Sequence, residues 1–519
     1  MHIPAAWNVG RWAGVAEPAP DARRVGSAVI AAFLMAGLTV AGADPESLGP
    51  GFGRLFLVFA IIAGPAVAAL LVLRPWTGVI AWAATMPLLD VPRLQLWFGP
   101  VQITQTTIFI AALAVGVLLD RLGSTDRAAW PRAASIAAGA LIVLPVLSLV
   151  AAPDVATGIP IVLHGVVEPV LVALLVVAAR PSVRGLAALG GALVVGVALA
   201  SAYSIVRAGR VATSLDELEA MRVSFAHFTY YNVGIFGDAL AMVIPIAIAG
   251  LLARRPLGLA RWATIALVAM LLVLMGALYL TFSKSAWLGT LVAVWLVLAT
   301  RFQRPRQIVA LVAGAAVVLA LIVPYPLYIR SALNIDLGST SILPLMSGSR
   351  LSSWDVGSPE GEVSIGERVR ATVAAAKMSR DHPLLGVGPG RFGVEYDGAY
   401  ADPNATRHLQ SPHDFLPEVA AELGIPALLV VVGALMAALW WAWRAVRSGD
   451  VLLRSVGGAY LSALVAFLVV ATTFGLDLYR PYRVMNADVI TAGLIVGACG
   501  ALAAAVRSKR AGAGQNGGA

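Results

Sequence analysis

Residues 262–281 read WATIALVAMLLVLMGALYLT, a run without a single charged side chain. A helix of about 20 apolar residues crosses the roughly 30 Å hydrocarbon core of a bilayer. Similar runs lie on both sides of it along the chain, separated by short segments rich in Arg, Pro and Gly. The pattern predicts an all-α polytopic membrane protein with about 12–14 transmembrane helices.

The composition supports a membrane protein and excludes several other classes. Of 519 residues, 59% are hydrophobic and only 13% are charged, whereas soluble proteins carry about 25% charged residues. A net charge of +9 would suggest nucleic acid as the partner of a soluble protein, but here most cations lie between apolar runs, so no nucleic-acid partner is expected. The single cysteine, Cys499, excludes a disulfide framework and a thiolate metal site within one chain.

The distribution of the 37 Lys and Arg residues predicts the orientation in the membrane. More than half of them fall in alternate segments between the spans, and by the positive-inside rule these segments face the cytoplasm, as do both termini. The predicted division is a cytoplasmic segment at 1–24, transmembrane helices 1–11 at 25–327, an extracytoplasmic loop at 328–423, helices 12–14 at 424–506 and a cytoplasmic tail at 507–519.

The large loop is long enough to suggest a functional role. Residues 339–361 are rich in Ser, Gly and Pro and are expected to be irregular, whereas 365–379 has a helical composition. The glycine-rich residues 386–390 predict a tight turn, because they lack the strand and lysine of a phosphate-binding loop. A second helix is expected after Pro412, running directly into the next span, with residues 415, 419 and 423 on one face.

Several cations lie at predicted external ends of spans, against the orientation rule: Arg207, Arg210, Arg222, Lys284, Arg480 and Arg483. If several converge on one face, they would suit a polyanion such as pyrophosphate, which arginine binds with a two-pronged guanidinium. Alternatively, each side chain reaches separately to lipid headgroups. The residue pattern leaves both interpretations open.

Two histidines also stand out. His413 lies where the loop returns to the membrane, and a neutral imidazole there could act as a general base. The same residues could simply begin a helix, with Asp414 at its positive end. Glu168, one turn after His164 within an apolar run, is expected to be paired and to face the bundle interior, either as a structural contact or as part of a site.

Three segments together resemble the O-antigen ligase and O-antigen polymerase superfamily. The strongest resemblance begins at Arg368 and continues through HPLLGVGPGRF at 382–392 to HDFLPEVAAELG at 413–424. The others are SKSA at 283–286 and the stretch from Arg222 to Asn232. Asp414 stands where the family usually has Asn, and Lys284 stands where it usually has Arg. Lysine keeps the positive charge but lacks the two-pronged guanidinium, so the diphosphate-binding role of the family's arginine is less strongly implied for Lys284.

The resemblance implies a bacterial plasma (inner) membrane enzyme of the C-type membrane glycosyltransferase fold. It would transfer a glycan from a polyprenyl diphosphate, such as undecaprenyl diphosphate, to an acceptor hydroxyl outside the cytoplasm, with inversion and without a metal or cofactor. The implied partners are the lipid-linked glycan donor, a glycan or lipid acceptor, and membrane lipids. The implied residues are His413 as the base and, as substrate-binding residues, Arg222, Lys284, Arg368, Arg480, Arg483 and Glu422.

Several alternatives remain open from the sequence. Ligase and polymerase share a donor and differ in the acceptor, which no motif identifies, and a protein O-glycosyltransferase is a related alternative. A secondary transporter or exporter of a small anionic or lipid-linked substrate would use charged groups at mid-membrane and usually shows repeated halves. Glu168 fits a transporter, but the halves of the chain show no repeat.

Overall fold

The computed structural model describes residues 22–42, 52–89, 95–98, 101–123, 132–152, 154–211, 233–281, 283–301, 359–401, 409–412, 414–473 and 487–516, with some side chains near the ends of these ranges left out. Within these ranges, eight helices are long and apolar enough to span a membrane, and three shorter apolar helices accompany them. The protein is an all-α polytopic membrane protein. The figure of 12–14 spans and the five-part division of the chain stay predictions.

The helices before the loop follow the predicted apolar runs. They are α1 (Ala22–Gly42), α2 (Phe52–Leu73), α3 (Pro75–Leu89), α4 (Gln105–Gly123), α5 (Arg132–Ser148), α6 (Val155–Ala178), α7 (Val183–Val211), α8 (Val233–Leu252), α9 (Arg254–Leu257), α10 (Arg261–Leu280) and α11 (Lys284–Arg301). The remaining helices are α12 (Pro359–Asp381), α13 (Phe392–Asp397), α14 (Phe415–Leu423), α15 (Ile425–Val446), α16 (Val451–Thr473) and α17 (Ala487–Asn516).

A small hairpin precedes α4, which the apolar pattern did not predict. Strand β1 (Gln95–Phe98) pairs antiparallel with β2 (Val101–Thr104), and Leu96 lies opposite Ile103. The helix that follows begins at Gln105. A hairpin of two short strands satisfies its backbone locally and leaves the all-α class of the bundle unchanged.

The last helix packs closely against α6 through small residues. A Cβ added to Gly493 would lie 2.7 Å from the carbonyl oxygen of Pro169, and one added to Gly497 would lie 2.8 Å from that of Ala173. Small residues allow two membrane helices to approach at their backbones, where dispersion contacts replace the missing hydrophobic driving force. This contact fixes α17 beside α6.

Two expectations about the loop were wrong in their boundaries. Helix α12 begins at Pro359 rather than at residue 365, so the end of the segment expected to be irregular is helical. The second helix does not run into the next span, because α14 ends at Leu423 and Gly424 adopts φ +87° before α15 begins. Pro426 near the start of α15 fits a new helix, since proline suits the first helical turn.

The pairing expected for Glu168 is confirmed, with partners other than arginine. Its Oε1 lies 3.0 Å from Nδ1 of His164 and accepts a 2.6 Å hydrogen bond from the hydroxyl of Thr107. Both members of the pair are buried. The chain around His164 forms a π-helical turn over Ile161–Val167 within α6. The contact ties α6 to the start of α4.

Candidate active site

The glycine-rich turn between α12 and α13 is held against the C-terminal end of α14. The backbone N–H of Val387 donates to the carbonyl oxygen of Ala421 at 2.8 Å, and that of Gly388 donates to the carbonyl oxygen of Glu422 at 3.1 Å. The N–H of Ile425 donates to the carbonyl oxygen of Pro383 at 2.9 Å. The predicted tight turn at 386–390 is confirmed, and it carries φ of +67°, +102° and +74° at its three glycines.

The buried side chain of Glu422 also bonds to the glycine-rich turn. One carboxylate oxygen accepts a 2.8 Å hydrogen bond from the N–H of Gly390, and the other accepts a 3.0 Å bond from the N–H of Phe392. The residue is 1% exposed. Burial raises the pKa of Glu422 to about 7, although the two N–H donors favour the charged form. Glu422 therefore links helix α14 to both sides of the turn.

The turn also contacts the ends of α5 and α6. The buried hydroxyl of Ser148, the last residue of α5, lies 2.5 Å from the carbonyl oxygen of Leu385 and 2.8 Å from that of Glu422. A Cβ added to Gly388 would lie 2.8 Å from Ala152. The loop is thus bonded to the membrane bundle itself. Ser148 carried no signal in the sequence, because its partners are more than 200 residues away.

A second turn at the same face joins α10 to α11. Ser283 precedes α11, and its hydroxyl accepts a 3.4 Å hydrogen bond from the N–H of Ala286. The indole N–H of Trp287 donates to the carbonyl oxygen of Leu278 at 2.9 Å and closes the turn. Gly237 on α8 lies beneath it, where an added Cβ would be 2.9 Å from Cβ of Ala286. Only residues 281–283 separate α10 from α11.

Helix α14 covers one end of an apolar groove in the bundle. Phe415, Val419 and Leu423 line this end, which confirms the shared face predicted for them. The groove has a volume of about 680 Å³ and continues between α5, α6, α15 and α17 to Arg180 and Arg507. Its lining along α17 runs from Val489 to Arg507, a distance of about 27 Å at 1.5 Å per residue. The groove therefore extends across nearly the whole hydrocarbon core.

Charged groups surround the turn on the loop side. Arg391 forms a 2.8 Å ion pair with Glu395 one helical turn later. Asp154 caps the start of α6 by accepting from the hydroxyl and N–H of Thr157, and these bonds, with the nearby Arg391, lower its pKa. Burial raises the pKa of Asp414, and its Oδ1 is buried without a hydrogen-bond partner among the described residues.

The structure places only part of the predicted site. Both the backbone and the side chain of Glu422 are described. For two others only the backbone is described: Lys284 is the first residue of α11, and Arg368 lies within α12. His413, Arg222, Arg480 and Arg483 lie outside the described residues. The convergence of the external cations is therefore still a prediction. What the structure brings together is the turn at 382–392, Glu422, Ser148 and the end of the groove under α14.

The elements that build this face are α10, α11, α12, α13, α14 and the first turns of α15. Apart from Ser148 and its neighbours and the first two turns of α10, they lie within one segment of the chain that a family model recognises. Residues 269–432 match the O-antigen ligase family, Wzy_C. The match confirms the resemblance to the O-antigen ligase superfamily.

The matched segment contains His413, Lys284, Arg368 and Glu422, whereas the remaining predicted arginines lie outside it. The O-antigen ligase resemblance seen at Arg222 to Asn232 is therefore not part of the match. No curated protein matches the chain. At the level of the family, the match supports glycosyl transfer at a membrane, with lipid-linked glycans and acceptors as the general class of substrate.

Glu422 should make the stability of this O-antigen ligase-like site depend on pH. With a folded pKa near 7 and an ordinary value of 4.5, the folded state binds more protons between these values, so stability falls as the pH rises from 4.5 through 7. The loss is on the order of 3 kcal/mol. We expect the unfolding temperature of the purified wild type to drop between pH 5 and pH 8, and the drop to be smaller in Glu422→Gln.

Glu422→Gln should also unfold earlier than the wild type at pH 5. An amide can accept from one backbone N–H, but its own N–H₂ faces the other, which leaves a buried donor unpaired at a cost of about 1–3 kcal/mol. An equal pH dependence in the two proteins would assign the titration to another group.

Proposed function

We propose that this protein transfers a glycan from a polyprenyl-diphosphate donor to an acceptor hydroxyl at the loop face of the membrane. The observation that carries the proposal is the apolar groove that begins under α14, beside the turn at 382–392. The family match supports glycosyl transfer in general. The groove supports a donor whose carrier is a long apolar chain.

The dimensions of the groove favour a polyprenyl tail over a shorter lipid. Its 680 Å³ falls within the range of about 300–1,000 Å³ typical of ligand pockets. The lining is almost entirely apolar and extends over about 27 Å, more than one leaflet of a core roughly 30 Å thick. A tail bound there would place its diphosphate at the loop face, close to Asp414 and Phe415 at the start of α14.

In the proposed reaction, His413 takes the proton from the acceptor hydroxyl. The hydroxyl oxygen attacks the anomeric carbon from the face opposite the diphosphate, the bond from that carbon to the diphosphate oxygen breaks, and the polyprenyl diphosphate leaves with the electron pair. The anomeric configuration inverts. General-base assistance of this kind contributes about 10²–10⁴-fold to the rate, and the proposal requires no metal.

The leaving diphosphate gains negative charge, which Arg222, Lys284 and Arg368 would stabilise. The backbone position of Lys284 supports its part, because the N-terminus of a helix carries partial positive charge and unpaired N–H groups. Arg480 and Arg483 are further candidates for the same role.

For Glu422 we propose a positioning role, since both of its oxygens bind the turn. It would hold residues 382–392 in place rather than contact the substrate directly. We also propose that the protein lies in a bacterial plasma membrane with the five-part division given above and with both termini in the cytoplasm.

A groove-filling substitution tests the proposal. Val431 on α15 lines the groove, whereas Leu429 on the same helix is 65% exposed and does not line it. We expect Val431→Trp to raise the KM for an undecaprenyl-diphosphate-linked glycan at least tenfold, and Leu429→Trp to leave it near wild type.

The assay is run with purified protein in detergent micelles, where no membrane gradient exists. Product formation there supports a transferase, and its size distribution separates a polymerase ladder from single ligation. A protein that forms no product in micelles but moves the lipid-linked glycan across sealed vesicles would be the transporter alternative, in which the buried His164–Glu168 pair is the group to test.

A further inference from the structure

Helix α6 holds one residue more in its middle than a regular α-helix would. Between two regular segments, Ile161–Val167 forms a π-helical turn, in which the N–H of Glu168 donates to the carbonyl oxygen of Leu163, five residues earlier. An α-helix bonds residues four apart, so the π turn shifts everything on one side of it by one position. Such turns are rare and often occur at functional sites.

The half of α6 that follows the π turn is fixed by the last helix. A Cβ added to Gly493 of α17 would lie 2.7 Å from the carbonyl oxygen of Pro169, and one added to Gly497 would lie 2.8 Å from that of Ala173. Contacts this close leave no room for α6 to rotate or slide at this level. The extra residue therefore sets the position of the other half, residues 155–160.

That other half touches the glycine-rich turn of the candidate active site at a glycine. A Cβ added to Gly158 would lie 2.6 Å from Cδ2 of Leu149 and 3.4 Å from the carbonyl oxygen of Pro389. If the π turn relaxed to a regular α-helix, residues 155–160 would rotate by about 100° and advance by about 1.5 Å. Ile159 would then occupy the place of Gly158, and its branched side chain would press against Leu149 and Pro389.

A buried polar contact spans the π turn. Nδ1 of His164, inside the turn, lies 3.0 Å from Oε1 of Glu168, the residue that follows the turn. The same oxygen accepts a 2.6 Å hydrogen bond from the hydroxyl of Thr107 near the start of α4. Ionisable groups are costly inside a membrane and are retained where they pair or serve a function. Pro169 has no N–H to lose, which lowers the cost of the wider turn before it.

We propose that His164 and Glu168 are positioning residues for the candidate active site, which hold the π turn of α6 and so keep Gly158 against the glycine-rich turn. Neither residue lines the groove, and both act through the register of α6. The glycine-rich turn has separate anchors in Ser148 and α14, so loss of the pair moves α6 relative to it. The effect on catalysis rests on the proposed transfer reaction, whereas the register of α6 does not.

The first test removes both members of the pair, by His164→Leu combined with Glu168→Leu. Replacing both polar groups together leaves no buried charge, so the variant should fold. Spin labels on cysteines that replace the exposed residues Ala156 and Val394 report the distance between α6 and α13, and the chain's own Cys499 is buried. We expect this distance to change by about 5 Å or more, because a rotation of about 100° carries a side chain to another face of the helix.

The same double variant should lose at least about tenfold in kcat in the micelle assay of glycan transfer. A displacement of about 1 Å can cost up to about 10²-fold in rate, even when the change is far from the reacting groups.

Deletion of Val167 from the double variant should restore both the distance and most of kcat. In the shortened chain, the N–H of residue 168 reaches the carbonyl oxygen of Leu163 as an ordinary α-helical bond, and Gly158 returns to its place without a π turn. Val167 does not line the groove. The matched control is Val167→Ala in the same double variant, which alters that side chain but keeps the chain length and should restore neither.

Two results would overturn the proposal. An unchanged spin-label distance in the double variant would mean that the π turn stands without the pair. A changed distance that deletion of Val167 does not restore would reduce the pair to a local packing contact. If the shortened chain does not fold, the distance in the full-length double variant decides alone. If the wild type forms no product, the transfer reaction fails, while the distances still test the register of α6.

Discussion

Gly424→Ala should destabilise the protein by about 3 kcal/mol or more and detach the glycine turn from α14. The added Cβ would lie 2.3 Å from the carbonyl oxygen of Leu384 and 2.6 Å from its carbonyl carbon, and both are backbone atoms that cannot rotate away. Alanine is also disfavoured at φ +87°. The backbone must therefore separate at the point where the loop meets the bundle.

The measurement compares the unfolding temperature of purified wild type, Gly424→Ala and Gly433→Ala, together with protease cleavage between 382 and 401. Gly433 lies in the interior of α15, and a Cβ there would meet nothing within 4 Å. Gly433→Ala should be neutral or stabilising by up to about 1 kcal/mol, because alanine favours the helix. If Gly424→Ala unfolds and resists cleavage like the wild type, the packing of the turn on α14 is wrong.

His413→Ala should lower the transfer rate about 10²–10⁴-fold if His413 is the general base. The residue lies within the matched segment, one position before Asp414 and two before α14, whose apolar face covers the groove. Donor affinity should change little, since the imidazole acts on the acceptor proton. Its loss should therefore appear in kcat more than in the KM for the donor.

The control is His408→Ala, which removes the same side chain five residues earlier in the loop. In the host, surface glycans of the wild type, a deletion and both variants are compared on a gel at matched membrane levels. We expect His413→Ala to reproduce the deletion and His408→Ala to resemble the wild type. A wild-type profile for His413→Ala beside an altered deletion profile would remove His413 from the mechanism and favour transport.

The sequence predicts the parts of this fold that depend on local composition. Runs of about twenty apolar residues place the spans, and the common face of Phe415, Val419 and Leu423 follows from helical spacing. The confirmed partner of Glu168 lies four residues away, where one turn of a helix brings side chains together.

The rest depends on partners distant in the chain. Nothing in the sequence around Ser148 marks it, because its hydrogen-bond partners are the carbonyl oxygens of Leu385 and Glu422, far away in the chain. Glu422 is predicted to bind substrate because its carboxylate stands in a family motif, whereas the N–H donors of Gly390 and Phe392, 32 and 30 residues earlier in the chain, carry no local signal for it. Gly424 followed by Pro426 is a local signal for the helix break. It was missed because the residues on both sides of it are apolar and look like one continuous helix.

The bond between Ser148 and the glycine turn has a consequence for exchanging loops between relatives. The carbonyl oxygens of Leu385 and Glu422 lie within hydrogen-bond distance of the Ser148 hydroxyl at the end of α5, and a side chain at position 388 would collide with Ala152. A chimera that receives this loop from another protein would need residues 148–158 from the same donor. The two segments therefore form one structural unit although they are distant in the chain, and hybrids that receive only the loop should have a lower unfolding temperature than either parent.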